Sequence, residues 1–269
     1  MKTRIISALV AIPILLFFVI SGGLILKIGV SVVTAIAVYE YINAFEKKYR
    51  IITPLLIIFY LINQFIFYTS DLSKYNTILI YTLLLISMAY PIFNKKYSII
   101  SSAFTVVGYI YIISFFNLLV KINEMKNGNK LIWMVFLIAW CCDTFAYFTG
   151  MFFGKRKLCP EVSPKKTVEG SIGGILGSIV GLVIWKIFNG NIEITYIQLI
   201  ILGIIGAVVS QIGDLSASLI KRHVGIKDYG NIMPGHGGIL DRFDSILFII
   251  PVVYYYIAII LGWYIWILI

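Results

Sequence analysis

The sequence predicts an all-α integral membrane protein. Hydrophobic residues make up 60% of its 269 residues, charged residues make up 13%, and the mean hydropathy is +0.97. Soluble domains contain about 45–50% apolar and about 25% charged residues. The apolar runs are continuous and lack the alternation over about ten residues that is typical of membrane β-barrel strands. Helices are therefore expected, because every backbone hydrogen bond must be satisfied inside lipid.

Nine apolar runs approach or reach the length that a bilayer requires. A hydrocarbon core of about 30 Å needs about 17–25 helical residues, and loops that carry Gly, Asn, Pro or charge separate the runs. In chain order the predicted spans are Ile5–Ile20, Leu24–Ala44, Ile51–Thr69, Ile78–Phe93, Ile99–Val120, Leu131–Gly150, Ile172–Phe188, Ile194–Gly213 and Ile246–Ile269.

The N-terminal stretch, "MKTRIISALVAIPILLFFVISGG", is similar to a secretory signal in its basic start, apolar run and small residues. A second apolar run follows almost at once, and the rest of the chain is membranous as well. We therefore predict an uncleaved helical hairpin, which N-terminal sequencing of the mature protein would distinguish from a cleaved signal.

The distribution of Lys and Arg predicts that the N-terminus lies inside and the C-terminus outside. With this orientation, 16 of the 22 basic residues fall on the inside and six on the outside. The inside residues are Lys2, Arg4, Lys47, Lys48, Arg50, Lys95, Lys96, Lys155, Arg156, Lys157, Lys165, Lys166, Lys221, Arg222, Lys227 and Arg242. The outside residues are Lys27, Lys74, Lys121, Lys126, Lys130 and Lys186.

We predict an N-terminal region, 1–130, of about five spans and a C-terminal region, 131–269, of about four. The C-terminal region carries the two longest polar loops, 151–171 and 214–245, and both fall on the predicted inside.

The net charge of +10 is dispersed among short loops, which favours contact with a lipid surface over nucleic acid. The three cysteines are too few and too poorly spaced for a disulfide framework or a zinc site, and we predict buried thiols. They are Cys141, Cys142 and Cys159.

Five glycines recur at helical spacing in "EGSIGGILGSIVG", residues 169–181. They predict a stripe of small residues at which two helices approach closely. A nucleotide-binding glycine loop is the alternative, but such a loop follows a strand and none is predicted here. The glycines are Gly170, Gly173, Gly174, Gly177 and Gly181.

Two aspartates lie within predicted spans, Asp143 in the sixth and Asp214 at the end of the eighth. Ionisable groups in a membrane usually face a bundle interior or a wet cavity, which makes them candidate functional residues. If the eighth helix continues, Ser218, Lys221 and Arg222 share a face with Asp214. A carboxylate followed by a hydroxyl and two cations suits a metal-bound polyphosphate. The alternative is an interfacial helix end with snorkelling cations.

The stretch "GHGGILDRFDS", residues 235–245, concentrates polar groups before the last span. Its glycines permit tight turns before a helix that we expect to begin near Leu240, where free N–H groups attract anions. Asp241 and Asp244 are one turn apart, and with Asp214 they predict an oxygen-rich site that suits Mg²⁺. For Asp244, a role as a cap in the first turn is the alternative.

One histidine and two lysines extend this polar set. His236 has no second His or Cys at zinc-ligand spacing, so we interpret it as a hydrogen-bond donor to phosphate. In "SPKKT", Pro164 restricts its neighbours, so that either Lys165 or Lys166 is held near the next helix. The two lysines are not distinguished by the sequence.

Together these motifs resemble the phosphatidate cytidylyltransferase family, also called CDP-diacylglycerol synthases. The resemblance is strongest in "SLIKRHVGIKDYGNIMPGHGGILDRFD", residues 218–244, and upstream in "DTFAYFTGMFFGK" and "SPKKTVEG". It covers about residues 139–245, and the first five spans match only in being hydrophobic. Met233 and Phe145 depart from the family pattern without removing a polar group.

The resemblance implies the reaction of CTP with phosphatidate to give CDP-diacylglycerol and pyrophosphate, in a prokaryotic inner membrane with the active site facing the cytoplasm. It implies Asp214 and Asp241 as Mg²⁺ ligands, with Asp143 and Lys166 in the same catalytic centre, and we expect Asp143 to be a third ligand of the ion. It allows a second, monovalent cation such as K⁺, and it implies a homodimer. The residues expected to contact substrate are Ser163, Lys165, Thr167, Ser218, Lys221, Arg222, Lys227, Asp228, His236, Gly237, Gly238, Arg242 and Asp244.

Other functions remain as alternatives. A transporter or ion channel also explains Asp143 and Asp214, but a transporter would more naturally carry inverted repeats, and the sequence has no repeat. A second alternative is an enzyme that uses CTP on another lipid, such as a polyprenyl alcohol or an ether-lipid phosphate. A structural scaffold would not require the carboxylates.

Overall fold

A computed structural model describes residues 2–46, 48–68 and 76–262, and it is almost entirely helical, as predicted. The exception is a two-stranded antiparallel ribbon in loop 151–171, which the sequence analysis did not predict. The helices are α1 (Lys2–Ser21), α2 (Gly23–Glu46), α3 (Thr53–Tyr68), α4 (Asn76–Phe93), α5 (Ile99–Gly108), α6 (Phe115–Glu124), α7 (Gly128–Phe153), α8 (Val168–Phe188), α9 (Tyr196–Val224) and α10 (Leu240–Ile260). The strands are β1 (Lys157–Cys159) and β2 (Ser163–Thr167).

Helical structure coincides with each of the predicted spans. A π-helical segment, Tyr109–Ser114, joins α5 to α6, so that one helical stretch covers Ile99–Glu124. In the described chain, seven helical stretches have the length and hydropathy needed to cross a membrane, and two apolar stretches, Leu9–Ser21 and Thr53–Ile66, are shorter. The chain is therefore an integral membrane protein, and the count of nine spans stays a prediction. Features of the prediction outside the described residues are Thr69, residues 263–269, Lys47, Lys74 and the side chains of Lys2 and Arg4.

The chain divides into two compact units. The N-terminal unit comprises Met1–Asn117 and Val224–Asp241, and the C-terminal unit comprises Leu118–His223 and Arg242–Ile269. The stretch that precedes α10 thus packs with the first helices of the chain, although the sequence analysis groups it with the last spans.

Aromatic side chains fill part of the core of the N-terminal unit. The rings of Tyr41 and Phe45 lie 4.5 Å apart, and Phe104 lies 4.5 Å from Phe45. The Tyr41 hydroxyl donates to the Phe104 carbonyl at 3.0 Å, which satisfies the polar end of a fully buried ring. In the same unit, the α2–α3 and α4–α5 loops line one cavity of about 350 Å³. These two loops therefore lie at the same end of the unit.

The glycine stripe of α8 packs against α7, which confirms the prediction of close helix approach. All five glycines are buried. An added Cβ would lie 2.9 Å from the Cys142 sulfur at Gly174 and 2.5 Å from the Phe145 Cβ at Gly177. Phe145, which departs from the family pattern, is thus accommodated by a glycine.

Of the three cysteines, all free thiols, Cys142 is buried as predicted, whereas Cys141 and Cys159 are half-buried.

Candidate active site

A β-ribbon positions Lys166. Strand β2 pairs antiparallel with β1, and successive side chains on a strand point to opposite faces. Lys165 and Lys166 therefore lie on opposite faces of β2, and Lys165 is exposed whereas Lys166 is half-buried. The Lys166 ammonium forms an ion pair with Oδ2 of Asp214 on α9. The structure thus distinguishes two lysines that the sequence could not.

Hydrogen bonds hold this ribbon to the start of α8. The Thr167 hydroxyl accepts the backbone N–H of Gly170 at 3.1 Å and caps the helix. The Glu169 carboxylate accepts the backbone N–H groups of Lys155 and Arg156 at 3.0 and 3.2 Å. Thr167, a predicted substrate contact, thus has its hydroxyl in a structural hydrogen bond, and Glu169 is a positioning residue that the sequence analysis missed.

Three aspartates and three cations of the C-terminal unit come within electrostatic reach of one another. The charge of Asp143 interacts with those of Asp214, Lys166 and Arg242. The charge of Asp244 interacts with those of Asp214, Lys221 and Asp143. Asp143 is exposed and the other two aspartates are half-buried. We call this set the aspartate cluster: Asp143, Asp214, Asp244, Lys166, Lys221 and Arg242.

A close contact between α9 and α10 brings Asp214 and Asp244 together. Gly213 precedes Asp214, and an added Cβ there would lie 2.9 Å from both the Asp244 carbonyl oxygen and the Phe248 Cβ. Only a glycine lets the two backbones approach this closely. Helix α9 continues past the predicted end of its span to residue 224, so the condition for Asp214 and Lys221 to share a helix is met.

Gln211 is a further polar residue at this site that the sequence analysis missed. Its amide nitrogen donates to the Ser171 carbonyl at 3.1 Å and to the Cys142 sulfur at 3.7 Å, and its amide oxygen accepts the Ser171 hydroxyl. These bonds join α7, α8 and α9 one turn before Asp214. The available signal was a polar side chain inside an apolar span.

Asp241 lies in the N-terminal unit, so the structure groups Asp143 with Asp214 but assigns Asp241 to the other unit. The buried Asp241 carboxylate accepts the backbone N–H groups of Tyr229 and Gly238 at 2.8 and 2.9 Å. Its predicted role as a metal ligand therefore stays a prediction. Gly237 has a φ of 83°, and an added Cβ would lie 2.8 Å from Oδ2 of Asp241, so this turn requires glycine.

The N-terminal unit also orients His236. Its Nδ1 atom lies 2.7 Å from the Ser7 hydroxyl oxygen, and the Ser7 hydroxyl lies within donor distance of the Pro234 carbonyl, at 3.2 Å. A contact between His236 and phosphate stays a prediction. The other predicted substrate contacts of this segment, Lys227 and Asp228, are exposed.

Glu40 on α2 is the most deeply buried carboxylate of this unit that the sequence analysis missed. It is 2% exposed, and it accepts the backbone N–H groups of Ile239 and Leu240, each at 2.9 Å. Glu40 therefore holds the turn from which α10 begins.

The donor set fits Mg²⁺ better than a metal with an all-protein cage. Within the described ranges, no three His, Cys, Asp or Glu side chains are close enough to form a complete metal site. Mg²⁺, however, is usually held by one or two carboxylates together with water and substrate phosphates. Asp143 and Asp214 meet that requirement, and the neighbouring cations suit the phosphates.

The comparison with known proteins agrees with this chemistry. The model of the cytidylyltransferase family matches residues 2–260. Phosphatidate cytidylyltransferase of Bacillus subtilis strain 168 is 37% identical over 269 residues, which cover 96% of this chain and 98% of the relative. Proteins of the same name are 35% identical in Staphylococcus epidermidis and 34% identical in Staphylococcus aureus strain COL, each over 93% of this chain and 96% of the relative. The similarity extends across the first five spans, and the chain therefore belongs to the cytidylyltransferase family and is a nucleotidyltransferase.

Proposed function

We propose that the protein transfers the cytidylyl group of CTP to phosphatidate, forming CDP-diacylglycerol and releasing pyrophosphate. Relatives that match nearly the whole chain are named for this activity. The observation that carries the proposal is the aspartate cluster, in which carboxylates and cations meet in a chain of this family. Because the chain belongs to a family of nucleotidyltransferases, Asp143 and Asp214 no longer require a transporter to explain them.

The reaction is a displacement at the α-phosphorus of CTP. A phosphate oxygen of phosphatidate attacks in line, an oxygen–phosphorus bond forms, and the bond from the α-phosphorus to the bridging oxygen of pyrophosphate breaks. The attacking phosphate is already an anion at neutral pH, because the second pKa of a phosphate monoester is about 6. No general base is needed, and positioning and charge neutralisation supply the rate enhancement.

The cations of the aspartate cluster neutralise the triphosphate. Lys166 is the best placed of them, since its ion pair with Asp214 fixes its ammonium beside the carboxylates. We expect Lys166 to share this contact with a phosphate oxygen when CTP binds. Lys221 and Arg242 supply charge from α9 and α10, where fixed positive groups stabilise negative charge on the transferring group.

Asp143 and Asp214 would hold Mg²⁺, with Asp241 as the third predicted ligand. When bound, the ion would neutralise charge on the phosphate oxygens of CTP. A monovalent cation such as K⁺ is a separate proposal, which depends on the family resemblance alone. Its test is turnover with K⁺ replaced by an organic cation.

The surroundings of Asp143 suit a lipid substrate. On α7, the turns that follow Asp143 expose large apolar side chains, among them Phe148, Met151 and Phe152, with exposed fractions of 49%, 54% and 70%. Apolar side chains beside charged groups match a molecule that has acyl chains and a phosphate. We propose that phosphatidate reaches the aspartate cluster laterally from the bilayer.

The proposed reaction is tested with CTP labelled at the α-phosphate and purified protein in detergent. We expect label in the lipid phase, with an equal amount of pyrophosphate, only when phosphatidate is added. Asp214→Asn should reduce this transfer by about 100-fold or more, because a charged group at the reacting phosphates is lost, and the variant should still insert into membranes. Transfer of label only to another lipid, such as a polyprenyl acceptor, would contradict the proposed substrate.

We propose that the aspartate cluster faces the cytoplasm of a prokaryotic cell. Three observations support this orientation: the bias of Lys and Arg, the bacterial origin of the relatives, and the shared cavity of two loops that the bias places on one side. The test uses a chain without its natural cysteines. A cysteine in place of Lys95 should be labelled from the inside by an impermeant maleimide, and one in place of Lys126 from the outside.

A homodimer is proposed from the family resemblance alone. Light scattering of the detergent-solubilised protein, corrected for bound detergent, should give a protein mass of two chains. A mass of one chain at all concentrations would contradict it.

A further inference from the structure

The N-terminal unit contains a charged cavity that the proposed reaction does not use. It has a volume of about 350 Å³ and lies between the loop that follows α2 and the loop that follows α4. None of its lining residues belongs to the aspartate cluster or to the predicted substrate contacts. They are Glu46, Arg50, Ile51, Thr53, Lys96 and Tyr97.

The cavity lining carries a net charge of +1. Arg50 and Lys96 are exposed, and neither forms an ion pair with another residue of the described chain. The third charged group, the Glu46 carboxylate, accepts the Thr53 hydroxyl at 3.3 Å. One net positive charge complements a phosphodiester, which carries a single negative charge. It complements a free phosphate less well, because phosphate carries about −1.5 to −2 at neutral pH and the carboxylate repels it.

Exposed apolar side chains flank the cavity. Ile92 and Phe93 directly precede the α4–α5 loop and are 74% and 87% exposed, and Ile99 and Ile100 directly follow it and are 60% and 48% exposed. They lie at the ends of two helical stretches, Asn76–Phe93 and Ile99–Glu124, that are long and apolar enough to cross a membrane. In a bilayer, acyl chains would meet these apolar side chains, and headgroups would meet Lys96 and Arg50. A ligand that contacts both must be amphiphilic.

We propose that this cavity binds the headgroup of an anionic phospholipid, with the phosphodiester between Arg50 and Lys96 and the acyl chains along Phe93 and Ile99. Basic pockets between membrane helices are suited to such headgroups. The site is separate from the substrate site, and it holds a lipid that is neither substrate nor product of the proposed reaction.

The test measures phosphatidylglycerol bound to the delipidated full-length protein by native mass spectrometry. The variant is Arg50→Gln with Lys96→Gln, and the matched control is Lys95→Gln with Lys126→Gln, which removes the same charge from exposed positions that do not line the cavity. Each basic residue at an anionic lipid is worth on the order of fivefold in affinity. The first variant, which loses two such residues, should therefore bind roughly 25-fold more weakly, and the control should bind as the unaltered protein does.

Two outcomes would overturn the proposal. One is equal affinity of the two double variants for phosphatidylglycerol. The other is displacement of the lipid by millimolar inorganic phosphate or by the soluble headgroup without acyl chains, which would indicate a site for a free anion. Cytidylyl transfer by the Arg50/Lys96 variant at saturating phosphatidate should be unchanged, so the result does not depend on the proposed reaction.

Discussion

Glu40 caps the N-terminus of helix α10 by accepting the backbone N–H of Leu240, which lies 200 positions later in the chain. Its second carboxylate oxygen accepts the N–H of Ile239. A negative charge at a helix N-terminus is favourable, because the first N–H groups have no partner within the helix. Gly230 and Gly238 make room for the carboxylate, since an added Cβ at either position would collide with it.

Glu40→Gln should destabilise the protein and lower its turnover. A glutamine retains one acceptor oxygen and turns an NH₂ group toward the second backbone N–H, which leaves a buried donor without a partner at a cost of about 1–3 kcal/mol. A lower midpoint of thermal unfolding in detergent, together with slower cytidylyl transfer, is expected. Glu193→Gln, in an exposed loop, is the matched control and should change neither. An unfolding midpoint equal to that of the control would show that the cap is unimportant.

The adjacent lysines of β2 should differ sharply in their effect on turnover. Lys166→Ala removes the cation that is paired with Asp214, and turnover should fall by about 100-fold or more, as for loss of a fixed charge at a transferring phosphate. Lys165→Ala changes an exposed side chain on the opposite face, and we expect less than about a tenfold effect. Transfer of labelled cytidylyl to phosphatidate is the measurement. Equal losses of turnover in Lys166→Ala and Lys165→Ala would contradict the assignment of the catalytic role to Lys166 alone.

The helices of the fold were predictable because hydrophobicity is a local property of the sequence. A run of about 20 apolar residues has few alternatives in a bilayer, and α7 and α8 begin and end within a few residues of the predicted spans. The β-ribbon was not predictable, because its strands have three and five residues and lie in a polar loop. Contacts at a distance in sequence, such as Glu169 with the backbone of Lys155, stabilise it.

The site was predictable only where a charge interrupts an apolar run. Asp143 and Asp214 met that criterion, and the structure brings them together. Glu40 met it less clearly, because it lies six positions before the end of α2, near other polar residues. The packing of Asp241 with the N-terminal helices was not predictable, since it depends on the path of residues 224–241 through space.

Gly213→Ala tests the contact between α9 and α10. The added Cβ would lie 2.9 Å from the Asp244 carbonyl oxygen, and backbone cannot yield as a flexible side chain does. The two helices should separate slightly, with a loss of stability of about 1–3 kcal/mol, as is typical of overpacking, and with weaker turnover because Asp214 and Asp244 move apart. Gly190→Ala, where an added Cβ meets nothing within 4 Å, is the control. Normal turnover and stability in Gly213→Ala would contradict this account.

Cytidylyl transfer should depend on a divalent metal ion at the aspartate cluster. Chelation by EDTA should abolish cytidylyl transfer, and Mg²⁺ should restore it, because a triphosphate beside three carboxylates requires a divalent cation to offset their mutual repulsion.

Asp143→Asn removes one of the two carboxylates best placed to hold the ion. The Mg²⁺ concentration for half-maximal turnover should therefore rise by about tenfold or more. Glu161→Gln, an exposed carboxylate outside the aspartate cluster, should leave that concentration unchanged. Full activity after exhaustive chelation would exclude a metal role for Asp143 and Asp214, and an unchanged Mg²⁺ requirement in Asp143→Asn would remove Asp143 from the ligand set while leaving Asp214 in it.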